Sequence, residues 1–239
     1  MFTLLPNQNS PRWCYDPEMA DANTPRHSYV VRLTHWLTVL CFFALLISGI
    51  EILISHPRFY WGEAGNAAMQ PLFVIPIPAS RATVPTGYNF VLPDQNGWSR
   101  FLHFQAAWAV VFVGLIYLVG GLVTRHFRRN LLPTGADIPP FQWPTEAEGT
   151  SYNVVQRLTY LGVVFVVFPL TIWTGLAMSP AIASVFPDAV ILLGGQQSAR
   201  TLHFLLTVLL VGFLVGHVAM VWLAGFRKRT RAMITGDSE

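Results

Sequence analysis

The 239 residues are 53% hydrophobic and 11% charged, against roughly 25% charge in a soluble domain, which points to a membrane protein. A net charge of +3 with no basic groove speaks against nucleic acid as a partner. Cys14 and Cys41 form neither a CxxC nor a CxxCH pattern, which removes support for zinc, iron–sulfur and covalently attached haem sites.

Residues 1–28 carry Pro6, Pro11, Pro17 and Pro25 among polar residues. They lack the apolar core of a signal peptide, so they are expected to remain as a cytoplasmic tail. Four windows then approach the roughly 20 apolar residues that cross a bilayer. They run over about 33–55, 101–124, 158–178 and 200–226. The expected fold is an all-α bundle of four transmembrane helices forming one domain over 29–226, followed by a basic tail, 227–239.

Lys and Arg set the orientation. The N-terminal tail, the 125–157 connection and the C-terminal tail together hold eleven, whereas the opposite side holds only Arg58, Arg81, Arg100 and Arg200. Both termini are therefore expected in the cytoplasm of a bacterium, with the bundle in its inner membrane. The 56–99 connection is too long for a turn and rich in proline and aromatics. It reads either as an interfacial loop anchored by Tyr60, Trp61 and Trp98 or as a platform for an extracytoplasmic partner. Segment 131–150 reads as a cytoplasmic linker.

A short pattern opens three spans: Arg32-Leu33-Thr34-His35-Trp36, Arg100-Phe101-Leu102-His103-Phe104 and Arg200-Thr201-Leu202-His203-Phe204. The third span begins Arg157-Leu158-Thr159-Tyr160, with tyrosine in the histidine position. Residues at i and i+3 share a helical face, so each arginine stands about one turn outside its histidine. Arg32, Arg100 and Arg200 are thus candidates to meet the propionates of a haem held by the neighbouring imidazole; simple snorkelling is the alternative, especially for Arg32 and Arg157.

Of seven histidines, four lie inside spans: His35, His103, His203 and His217. Ionisable residues at such depth are costly and mark function. His203 and His217 are 14 residues apart, about 21 Å along a helix and within roughly 40° of one face. One metal ion cannot bridge that gap, whereas two stacked cofactors use both residues. Depth pairs His35 with His217 near the cytoplasmic side and His103 with His203 near the outer side. Each pair could clamp one haem iron in the bundle core. Zinc, which wants four ligands at one point, does not match two separated levels. Gly49, Gly114 and Gly121 fall near these faces, where small residues let either a flat ring or another helix come close. With both axial positions filled by imidazole, electron transfer is favoured over oxygen chemistry.

With two histidines 14 apart on the last span and one each on the first two, the chain resembles the di-haem b-type subunits of formate dehydrogenase and nickel–iron hydrogenase. These belong to the bacterial cytochrome b561 superfamily. HPRFYWGEAG, PLTIWTGLAMSP, LLGGQQSARTLHF and RAMITG resemble, more narrowly, thiosulfate-reductase-type cytochrome b subunits. The resemblance implies two b haems and electron passage between an extracytoplasmic molybdopterin oxidoreductase and the quinone pool. It also implies a quinone pocket near the start of span three, where Asn153, Gln156, Arg157 and Tyr160 stand. Two other readings remain open at this point. One is a stand-alone superoxide:quinone oxidoreductase of the same superfamily; the other is a haem-free anchor or transporter.

Overall fold

The computed structural model describes residues 28–66, 68–76, 95–124, 127, 154–223 and 225–236. Within them, four helical stretches are long and apolar enough to cross a membrane: Tyr29–Ser55, Gly97–Val123, Leu158–Ala177 and Gln196–Leu223. The chain is a multi-pass, all-α membrane protein. The first helix, α1 (Tyr29–Ser55), starts where Ser28 is extended and its hydroxyl faces Val31 N. It ends at His56, whose N–H reaches back to the carbonyls of Ile52 and Leu53, just before Pro57 blocks further helix.

Two short strands follow, β1 (Arg58–Phe59) and β2 (Phe73–Val74), paired antiparallel with Arg58 opposite Val74. Helix α2 (Gln95–Val123) then packs along α1. The third crossing is composite: α3 (Val154–Gly162), one wide π turn (Val163–Val167) and α4 (Phe168–Ala177). Pro169 at the start of α4 explains the wide turn. It has no N–H to donate back into the preceding turn, so the ladder slips by one residue there. Two short helices, α5 (Pro180–Val185) and α6 (Asp188–Ile191), turn the chain into α7 (Gln196–Leu223), which packs along α4. The last element is the basic α8 (Phe226–Thr235).

Burial is inverted relative to a soluble bundle. Leu40, Phe112 and Trp222 are 69%, 62% and 71% exposed, while Ser48, Thr174, Ser198 and Thr201 are at most 1% exposed. Small and hydroxylated residues line the helix contacts, which lets backbones approach where lipid removes any hydrophobic drive between helices.

The 56–76 connection, called outer from the orientation expected of the Lys and Arg count, is fastened to the start of α7. Gly194 and Gly195 have φ of +81° and +111°, conformations that favour glycine. A side chain at Gly195 would also collide with the Gly62 backbone. The Gly62 carbonyl accepts from Gln197 N and Ser198 N, and Glu63 accepts from Gln196 N at 3.1 Å. The carboxylate thereby meets the positive end of the α7 dipole. Thr201 donates to the Tyr60 carbonyl at 2.8 Å. The rings of Phe59, Phe73 and Phe204 pack within 4.6–6.0 Å of one another. Trp61 and Trp98 are 58% and 53% exposed, as interfacial anchors would be. Tyr60 is not one of them: it is buried, and its hydroxyl donates to the Asn66 carbonyl.

At the other end of the bundle, α8 folds back onto the first turns of α1. Arg32 Nη1 donates to the Ile234 carbonyl at 2.9 Å, and Trp36 Nε1 to the Met233 carbonyl at 3.1 Å. Both satisfy acceptors that the end of α8 leaves without helical partners. The 131–150 linker lies outside the described residues.

Candidate di-histidine sites

The four intramembrane histidines form two facing pairs. On α2 and α7, the rings of His103 and His203 have centres 6.2 Å apart and planes crossed at 66°. On α1 and α7, His35 and His217 have centres 6.4 Å apart and planes at 53°. An imidazole nitrogen binds a metal ion at about 2.0 Å, with the ring centre about 1.1 Å behind it, so two imidazoles on opposite sides of one ion have centres about 6.2 Å apart. Both pairs have that spacing, so the residues fit an iron held between two imidazoles. Helix α7 contributes to both, one residue per level.

Each imidazole of the His103–His203 pair, outer in the expected orientation, rests against a hydroxyl and a glycine of a neighbouring helix. His103 Nδ1 lies 3.0 Å from Ser48 Oγ, and the Leu45 backbone is a further partner of the same ring. A Cβ on Gly49 would be 3.6 Å from His103 Cε1. His203 Nδ1 lies 3.0 Å from both Thr174 Oγ1 and the Thr171 carbonyl. A Cβ on Gly175 would be 3.3 Å from His203 Cε1. Leu45, Ser48 and Gly49 on α1 thus recur as Thr171, Thr174 and Gly175 on the third crossing.

The sequence reasoning missed Ser48, Thr171, Thr174 and Gly175. Their signal was an internal repeat: Arg32-Leu33-Thr34 precedes Ser48-Gly49, and Arg157-Leu158-Thr159 precedes Thr174-Gly175. The second spacing is one residue longer, and the π turn absorbs the extra residue. Of the other glycines, Gly49 borders the imidazole of His103 directly. A Cβ on Gly114 would meet nothing within 4 Å, and one on Gly121 would run into the Phe127 ring.

The arginines divide. Arg200 Nη1 donates to the Arg58 carbonyl at 3.1 Å and Nη2 to the His56 carbonyl, while its guanidinium carbon lies 4.9 Å from the Phe59 ring centre. Its visible partners belong to the outer connection. Arg32 is directed at the end of α8. Arg100 is exposed at the outer end of α2. Among the expected quinone residues, Asn153 lies outside the described residues, and Gln156 and Arg157 are placed as helix backbone only. Tyr160 is well placed beside the inner pair, its ring centre 6.3 Å from that of His217. The Phe213 ring stacks on His217, with centres 5.8 Å apart and planes at 25°.

Residues 26–236 match the family model described as prokaryotic cytochrome b561. The chain is 30% identical over 202 residues to YedZ1 of Azospira oryzae, a protein named "Putative protein-methionine-sulfoxide reductase subunit". That alignment covers 82% of this chain and 89% of the relative. No solved structure matches. The chain belongs to the prokaryotic cytochrome b561 family and is a haem-binding, electron-transferring membrane subunit.

Proposed function

We propose that this subunit holds two b haems, one between His103 and His203 and one between His35 and His217, and conducts electrons across the bacterial inner membrane. The observation that carries the reading is the pair of ring separations, 6.2 and 6.4 Å, at two levels of one helix. A b haem with two imidazole ligands supplies a one-electron couple and no open iron position. Both termini are cytoplasmic in this reading, because eleven of fifteen Lys and Arg residues flank that side.

The outer pair faces an extracytoplasmic oxidoreductase of the molybdopterin class, to which the β1–β2 connection gives a docking face. The relative's name, a reductase subunit, supports a partner of this kind. The inner pair serves the quinone pool. Tyr160, with its ring against His217, borders the quinone, and Asn153, Gln156 and Arg157, just before it in the sequence, are the further candidates. Arg100 is the arginine exposed at the outer level, where a propionate would extend.

The test is haem stoichiometry in protein extracted with mild detergent. Pyridine haemochrome analysis is expected to give two b haems per chain, falling to one in His203→Ala and to a different one in His217→Ala. A wild-type protein with a single haem, or His203→Ala retaining both with unchanged spectra, would overturn the assignment; a protein without haem would restore the anchor reading. Copurification of a second subunit distinguishes the partner-linked subunit from a stand-alone quinone reductase.

A further inference from the structure

We infer that Ser48 and Thr174 are positioning residues of the outer site: their hydroxyls fix His103 and His203 in the Nδ1–H form, aim Nε2 at the iron and hold the outer couple at a lowered potential. The inference rests on the assignment of these two histidines as ligands of one haem.

The argument begins with a proton count. Ser48 Oγ lies 2.7 Å from the Ala44 carbonyl and 3.1 Å from that of Leu45. Carbonyls only accept, and a hydroxyl has one proton, so that proton is directed back into α1. The Ser48 oxygen can then offer His103 only a lone pair, and Nδ1 must be the donor across the 3.0 Å contact. Thr174 repeats the arrangement, with the Leu170 and Thr171 carbonyls each 2.9 Å from its hydroxyl. For His203 the conclusion is reached twice, because the Thr171 carbonyl, also 3.0 Å from Nδ1, can only accept. In a neutral imidazole one nitrogen carries the proton and the other is bare. Nε2 is therefore the bare nitrogen on both rings before any metal arrives.

The hydroxyls are built into the fold. Ser48 and Thr174 are 0% and 1% exposed, and each occupies the same place in its half of the internal repeat. A donated Nδ1–H raises the basicity of the ligating nitrogen. A more basic ligand pair favours ferric over ferrous iron, which lowers the midpoint potential.

Two measurements test this, one of them without haem. In haem-free protein, nitrogen-15 NMR of the imidazoles should report the Nδ1–H form for His103 and His203. Thr174→Val, which keeps the side chain's shape, and Ser48→Ala should leave that form less populated. In haem-loaded protein, each substitution should leave haem content intact and shift the outer ferric/ferrous equilibrium about threefold towards ferrous. At about 59 mV per tenfold for one electron, that is an upward shift of about 28 mV, and about 56 mV for the double variant. Thr174→Ser and Ser48→Thr should restore the wild-type potential. An unchanged potential in Thr174→Val with full haem content would overturn the inference, as would an Nε2–H form in the haem-free protein. If Ser48→Ala does not accumulate, Thr174→Val decides alone. Failure of the ligand assignment would appear separately, as both haems surviving in His203→Ala.

Discussion

Arg200, one turn outside His203, donates from Nη1 to the main-chain carbonyl of Arg58 at 3.1 Å. With its second donor directed to the His56 carbonyl, it pins the outer connection to the helix that carries both histidine levels. A guanidinium has five donors, and these two are committed to backbone within the fold. The positive charge on this side therefore has a mechanical use, which neither snorkelling nor a propionate contact had supplied.

Arg200→Ala is therefore expected to loosen 56–76 without dismantling the bundle. Hydrogen bonds to a charged group contribute about 1.5–3 kcal/mol each. Partial compensation by water leaves a net loss of about 2 kcal/mol, or roughly thirtyfold more frequent local opening. Hydrogen–deuterium exchange in lipid nanodiscs should show lost protection over Arg58–Val74 and little change in α2. Loss of the outer haem with unaltered loop protection would show instead that the propionate role dominates.

How much of this was legible beforehand follows from the kind of signal each feature leaves. Span length and the histidine spacing are one-dimensional patterns, and the helical repeat converts them directly into levels and faces. The pairing of His35 with His217 and His103 with His203 needed only depth. For Arg32 and Arg200 the i, i+3 pattern shows which face a residue shares but not which backbone will fold over it. Their partners, Ile234 and the His56–Arg58 backbone, come from α8 and the outer connection, whose docking leaves no periodic trace. Tyr60 departs from the interfacial role of Trp61 and Trp98 for the same reason: its burial comes from the Asn66 turn and from α7. Thr174 and Gly175 were hidden by a single inserted residue, which broke the visible match to Ser48 and Gly49 until the π turn explained it.

Gly175 and Gly49 offer a graded test of how closely the outer imidazoles seat. Replacing glycine by alanine inside a helix contributes about 0.8–1 kcal/mol of stability through backbone entropy. At Gly49 the new Cβ would meet His103 Cε1 at 3.6 Å, an ordinary contact, so Gly49→Ala should be neutral or mildly stabilising. At Gly175 the contact would be 3.3 Å, and the imidazole must shift. Overpacking costs about 1–3 kcal/mol, which exceeds the entropic gain. Gly175→Ala should lower outer-haem retention during thermal challenge, read from the visible spectrum, while Gly49→Ala should not. Equal retention in the two variants would contradict the seating described.

Tyr160 stands where the repeat would place a histidine, and its ring packs against His217. Tyr160→Phe keeps the aromatic contact and removes the hydroxyl. Quinone-linked electron transfer is expected to fall by on the order of tenfold, the scale of a hydrogen bond lost to a bound ligand. Haem content should remain at two per chain. Steady-state reduction of a water-soluble quinone analogue, with haemochrome analysis on the same sample, checks both. Unchanged turnover would move the quinone away from Tyr160.

The contacts of Arg32 and Trp36 with the end of α8 lead to the last expectation. Each donates one hydrogen bond to a carbonyl that the helix itself leaves unpaired. Net values of about 1 kcal/mol for a neutral donor and about 1.5–3 kcal/mol for a charged one make the pair worth about 2.5–4 kcal/mol. The double variant Arg32→Ala, Trp36→Phe should therefore release α8 while α1 stays in place, because α1 is held along its length by α2. Trypsin, which cleaves after Arg227, Lys228, Arg229 and Arg231, reports the release as faster removal of the tail. Trp36 also meets the His35 ring edge-on at 5.3 Å, and phenylalanine at that position keeps an aromatic neighbour for it. The inner haem spectrum should consequently survive the change. If it shifts and tail cleavage does not, Arg32 acts on the inner site rather than on α8.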